Sequence, residues 1–142
     1  MNANDSIKRY SRQIILKEVG GQGQKLLMKS KVLIIGLGGL GSPVLQYLAA
    51  SGVGTIGLAD NDKVDLSNLH RQIIFSLKDI GSYKVSKAKK FISAVNSDIN
   101  IIPYKKKVDL LNVDKIISEY DIIIDCTAVS YTHLTLPTNR EV

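Results

Sequence analysis

Lys31-Val-Leu-Ile-Ile-Gly36-Leu-Gly38-Gly39-Leu-Gly41-Ser-Pro43 is the stretch of this chain that decides its fold. Its first half is a short apolar run closing on glycine, the pattern of a strand buried on both faces of a parallel sheet. Its second half reads G-x-G-x-x-G. Val44, Leu45, Leu48 and Ala49 then fall at helical spacing, with Pro43 in the first turn, where its missing N–H costs little. Strand, glycine loop and helix in that order present backbone N–H groups at a helix N-terminus, where negative charge is favoured and no Cβ blocks a close approach. An anionic group is therefore expected against Gly36, Gly38, Gly39 and Gly41.

Working outward, Thr55 to Asp60 reads as a second strand, Tyr83 to Val95 as a Lys-rich amphipathic helix and Asn100 to Tyr104 as a third strand. Asn112 to Glu119 has helical spacing, and Asp121 to Asp125 is a fourth apolar run. Strands alternating with helices in this way predict an α/β fold, a Rossmann-like open parallel sheet with right-handed crossovers. Two short helical patterns, Ser6 to Leu16 and Gly23 to Lys29, precede the first strand, with Gly20-Gly21 as the turn signal between them. The expected organisation is a helical extension over 1–30, a partial nucleotide-binding domain over 31–127 and a tail over 128–142, which breaks the rhythm where another helix should follow.

Composition limits what such a domain can be. The chain has 142 residues, 44% hydrophobic and 23% charged, as a packed globular domain requires. No apolar run approaches the roughly 18 residues of a membrane helix, and the first twenty residues lack a signal-type apolar stretch. The single Cys126 offers no intramolecular disulfide and no cysteine-based zinc site, in keeping with a cytoplasmic location. The net charge of +6 concentrates in Lys84 to Lys90 and Lys105 to Lys107. No aromatic residues interleave there as a platform for bases, so these clusters read as solvated faces and not as a nucleic-acid interface.

Asp60 closes the second strand 19 residues after Gly41, where an acidic side chain can hydrogen-bond a ribose hydroxyl. That much fits NAD as well as ATP. A pyrophosphate of about two charges can be served by a helix N-terminus, whereas a triphosphate of about four usually recruits cations. Cations are present: the polar segment after Asp60 offers Arg71 beside Asn68 and Gln72, and Lys84 falls in the first turn of a helix. The helix dipole disfavours a cation there, and a bound anion would offset that cost.

Arg9-Tyr-Ser-Arg-Gln-Ile-Ile15, the glycine loop, Asp60-x-Asp62, Ser67-Asn-Leu-x-Arg-Gln72, Gly81-x-x-Lys84 and Asp125-Cys-Thr127 follow one another in the order and spacing of a known family. In these motifs the chain resembles the ThiF/MoeB/HesA adenylyltransferases, relatives of the ubiquitin-activating enzymes. The resemblance covers Arg9 to Thr127, the N-terminal half of such an enzyme, so the chain is read as an incomplete copy, inactive alone. It implies ATP-dependent adenylation of the C-terminal glycine carboxylate of a ubiquitin-like sulfur-carrier protein ending in Gly-Gly, in a thiamine, molybdopterin or other sulfur route. It also implies a homodimer in which Arg12 enters the neighbouring subunit's site, and Asp60 on the ribose. Ser67, Asn68 and Arg71 would line the nucleotide and Lys84 would hold its phosphates.

One departure stands out. The resemblance implies Mg²⁺ held by an Asp directly after Thr127, and this chain has Ala128. The residues after it resemble nothing in the family and read as a non-native tail, in which His133, like His70 in its loop, has no second ligand to make a metal site. The resemblance places any structural zinc in a C-terminal half beyond these residues. Two other readings stay open on these residues: an NAD-dependent oxidoreductase domain using the same loop and Asp60, and a non-catalytic nucleotide-binding or dimerisation module. Cys126, at a strand end, reads as a small core residue and not as a nucleophile.

Overall fold

The computed structural model describes residues 3–127. Four strands, β1 (Lys31–Ile35), β2 (Thr55–Ala59), β3 (Asn100–Tyr104) and β4 (Ile122–Asp125), form one sheet in the order β3-β2-β1-β4. Every pairing is parallel: Val32 sits opposite Ile56 on one side and Ile122 on the other, and Ile56 opposite Ile101. The chain steps from β1 outward to β3 and then returns across β1 to place β4. That reversal leaves a crevice at the carboxyl ends of β1 and β4.

The uninterrupted apolar run of β1 has a simple cause. Val32 and Ile34 pack with Leu45 and Ala49 of α3 (Gly41–Ser51) and with Val85, Ala88 and Ile92 of α4 (Lys84–Val95) in one buried cluster. Leu33 belongs to a second, smaller cluster with Ala59 and Ile116 of α5 (Val113–Ile117), backed by Ile35, Tyr104, Tyr120 and Ile123. Alternate side chains thus meet helices on opposite faces, so Val32 to Ile35 are apolar whichever face they point to. On the second face the lack of a side chain at Gly57 makes room for the Tyr120 phenol. Tyr120 meets Tyr104 edge-on, with 6.5 Å between ring centroids and 3.0 Å between hydroxyls. Burial pushes the Tyr120 hydroxyl up, and the bond to Tyr104 adds to it.

The N-terminal helices are α1 (Ala3–Ile14) and α2 (Gly20–Lys29). The Gly20-Gly21 pair, expected as the turn between them, begins α2 instead. The turn lies at 15–19, closed by Val19 and Gly20 N–H groups donating to the Leu16 carbonyl at 3.0 and 2.9 Å. Gly20 takes a φ of +56°, so it serves as the left-handed junction into the helix. Both helices are fixed to the ends of α3 and α4. The buried Asn96 amide donates to Tyr10 Oη at 2.9 Å and to the Ala49 carbonyl at 3.0 Å. Gln13 Nε2 donates to the Ser51 carbonyl at 2.6 Å and to Gln24 Oε1. Since α3 and α4 start at the crevice, this attachment lies at the opposite end of the sheet. The expected tail with Ala128 and His133 falls outside the described residues.

Candidate functional site

The crevice holds a cavity of about 1000 Å³. Its floor is the glycine loop, whose shape is set by close backbone contacts. Gly36 has a φ of +92°, and a Cβ there would lie 2.9 Å from the Cys126 carbonyl oxygen. A Cβ on Gly41 would run into the carbonyl of Gly36 itself. Gly41 is therefore structural and does not line the cavity, whereas Gly36, Gly38 and Gly39 do.

Asp60 also lines the cavity, but its carboxylate has a further task. Oδ2 accepts from the Leu37 N–H and Oδ1 from the Asp62 N–H, both at 2.7 Å. One side chain thus ties the glycine loop to the segment after β2, and each oxygen keeps a lone pair for a ligand.

That segment folds back over the loop. A 3₁₀ turn, Leu66–Asn68, is capped by Asp65, whose Oδ1 accepts from the Ser67 N–H at 2.8 Å and the Ser67 hydroxyl at 2.6 Å. These bonds hold the Asp65 carboxyl below its ordinary range. Ser67, expected at the nucleotide, is turned to this cap and does not line the cavity. Asn68 does: its Oδ1 accepts from the Asp65 N–H at 3.1 Å, and its Nδ2 has no acceptor among the described residues. Arg71 leans over Gly39, its Cδ 3.4 Å from where a Cβ would stand, and its Nη1 donates to the Ser67 carbonyl at 3.0 Å beside His70 Nε2 at 2.6 Å. Gln72 is buried against Gly38, and its Oε1 has no partner among the described residues.

Lys84 opens α4 with its side chain buried, 5% exposed, and its Nζ 3.3 Å from Asp62 Oδ2. The cost of a cation at a helix N-terminus, expected to be offset by a bound anion, is already reduced by this carboxylate. Arg12 is not brought to the cavity of its own chain: it is exposed on α1, which packs at the opposite end of the sheet.

The far wall was not foreseen from the sequence as part of a site. Lys106, Lys107, Val108 and Asp109, after β3, line it together with Val113, Ile117 and Ile123. The basic run Lys105 to Lys107 was the available signal, read as a solvated face. Asp125 and Cys126 complete the wall. Burial raises the Cys126 thiol, and the Asp125 charge raises it further, which disfavours the thiolate a nucleophile needs. Among the described residues no group of three or more His, Cys, Asp or Glu is placed to hold a metal ion, and no helix is long and apolar enough to cross a membrane.

Comparison with known proteins gives the arrangement its relatives. The sequence model of the ThiF family matches residues 10–134. The chain is 48% identical over 120 residues to the "Probable molybdopterin-synthase adenylyltransferase" of Gracilaria tenuistipitata var. liui, covering 84% of this chain and 34% of that protein. It is 48% identical over 124 residues to the adenylyltransferase and sulfurtransferase MOCS3 of Xenopus laevis, covering 87% and 28%. It therefore spans about a third or less of the length of these curated relatives. Among solved structures, E. coli tRNA N6-threonylcarbamoyladenosine dehydratase in complex with ATP superposes with a TM-score of 0.82 at 25% identity, over 89% of this chain and 52% of that one.

Proposed function

The chain belongs to the ThiF family, and we propose that its cavity binds ATP for adenylation of the C-terminal glycine carboxylate of a ubiquitin-like sulfur-carrier protein. The observation that carries this reading is the convergence of Gly38, Gly39, Asp60, Asn68, Arg71, Gln72 and Lys84 on one cavity at the carboxyl edge of the sheet. Relatives named adenylyltransferases and a neighbour solved with ATP support it.

In this reading the N–H groups at the start of α3, with Arg71 above Gly39, hold the phosphates, and Asp60 accepts from the ribose. Lys84, paired with Asp62, faces the same phosphates. A carboxylate oxygen of the carrier forms a bond to the α-phosphorus, and the bond from that phosphorus to the bridging oxygen breaks. Acyl adenylate and pyrophosphate are the products. No protein nucleophile is required, so the residues act by positioning and by stabilising charge. Arg12 is assigned to the site of a second copy in a homodimer.

The family resemblance also implies Mg²⁺ on the triphosphate, where it would neutralise charge. Among the described residues no group of three or more His, Cys, Asp or Glu is placed to hold Mg²⁺, and Ala128 stands where the family resemblance expects the liganding Asp. For these 142 residues alone we propose nucleotide binding without turnover. We further propose residues 31–127 as the ATP-binding unit, 1–30 as its helical extension and 128–142 as a non-native tail.

Calorimetric titration tests the reading. Arg71→Ala is expected to weaken ATP binding roughly 10- to 100-fold, the range for a hydrogen bond to a charged group, and to leave NAD binding unchanged. Equal losses for both nucleotides, or pyrophosphate exchange by the 142-residue chain, would contradict it.

A further inference from the structure

Resting on that reading, in which a protein tail brings its carboxylate into the cavity, we infer that the lip of the cavity docks an acidic segment of the incoming protein just upstream of its C-terminus. The lip is built from Lys63, Tyr83, Tyr104, Lys105 and Lys106. Lys63 and Tyr83 face each other across an isolated antiparallel bridge. The Asp60 N–H donates to the Tyr104 carbonyl at 3.2 Å, which sets the segment after β3 alongside the segment after β2.

Cations are gathered here without neutralisation. The Nζ atoms of Lys63 and Lys105 each lie 5.4 Å from the centroid of the Tyr83 ring, and Lys106 Nζ lies 5.9 Å from that of Tyr104. Among the described residues none of the three is ion-paired with a carboxylate, whereas Lys84 and Lys87 are. The carboxylates close by are engaged elsewhere: Asp62 with Lys84, and Asp60 with the backbone N–H groups of Leu37 and Asp62. Ring contacts bring two ammonium groups to one tyrosine and a third to its neighbour Tyr104 without supplying a counter-charge. Such a field attracts and orients an anionic partner. A nucleic acid suits the lip less well, because stacked bases need a free aromatic face and the Tyr83 ring already carries two ammonium groups. Glutamate and aspartate side chains need only the charges. Lys106 is common to the lip and to the cavity wall, so a chain ending in the cavity passes over the lysines.

The test is fluorescence anisotropy on the 142-residue chain without ATP, using a labelled peptide in which a run of glutamates precedes Gly-Gly. Binding is expected to weaken as salt is added. The double variant Lys63→Glu, Lys105→Glu should bind about tenfold more weakly or worse, while Lys63→Arg, Lys105→Arg retains the wild-type affinity. Equal binding of a serine-for-glutamate control peptide, unchanged affinity in the double variant, or tighter binding of single-stranded RNA of matched charge would overturn the inference. ATP titration separates this outcome from the preceding reading. Lost peptide binding with ATP binding intact in the double variant supports the lip, whereas ATP binding indifferent to Arg71→Ala overturns the adenylation reading and leaves the peptide result standing.

Discussion

Asp60 braces the glycine loop from within the site, so its removal should register in the empty protein as well as in ligand binding. Asp60→Ala leaves the Leu37 and Asp62 N–H groups without their acceptor. A loss of about 1–3 kcal/mol of stability is expected from the unpaired donors, read as a lower urea midpoint with ATP absent. An unchanged midpoint would mean that Asp60 serves the ligand alone. Cys126 allows a second test at this scale. Its folded thiol is raised, first by burial and then by Asp125. The folded chain therefore holds this proton more tightly than the unfolded one. That contribution to stability is full below the unfolded thiol value of about 8.5 and is lost as pH rises through the folded value. Alkylation by iodoacetamide should accordingly be slower in the native chain than in urea at the same pH. The residue types of the site were legible because Gly, Asp, Asn and Arg at these spacings have few other uses. Their partners were not: Asp62 lies 22 residues from Lys84, and only the folded chain shows that the lysine is already paired.

Among the elements, the glycine loop and α3 stand or fall together. Gly41 starts the helix pressed onto the Gly36 carbonyl, so Gly41→Ala must push backbone against backbone. A destabilisation of roughly 1–3 kcal/mol is expected, with ATP affinity falling in the same variant, and calorimetry can follow both. Gly39→Ala makes the natural contrast. Its Cβ would meet only the flexible Arg71 side chain at 3.4 Å, so stability should hold while nucleotide binding weakens. The strands were readable because each is apolar on both faces, and α3 and β3 lie where their periodicity puts them. Elements whose ends depend on tertiary partners were less so. The helical pattern over Asn112 to Glu119 yields only Val113–Ile117, since the next residues swing Tyr120 over Gly57. Gly20-Gly21 carries a turn composition, yet anchorage of Gln24 beside Ser51 and Gln13 continues α2 through it.

For the molecule as a whole, the cavity and the N-terminal helices occupy opposite ends of one sheet. Arg12 therefore cannot reach its own glycine loop, and Arg12→Ala should bind ATP as the wild type does in calorimetry at concentrations where the chain is monomeric. A clear loss of affinity there would place Arg12 in its own site and remove the case for a second copy. The parallel sheet could be inferred from the alternation of apolar runs and helices, but the strand order could not, because four equivalent apolar strands do not say on which side of β1 the last one pairs. The contact between Tyr10 and Asn96 has a further consequence, in the timing of synthesis. These residues are 86 positions apart, and at 5–20 residues per second a ribosome needs roughly 4–17 s to add the second after the first. Helix α1, made before α4, is thus docked only after α4 has emerged. Until the end of α4 emerges, the face of α1 that carries Tyr10 waits uncovered in the nascent chain, where chaperones would meet it.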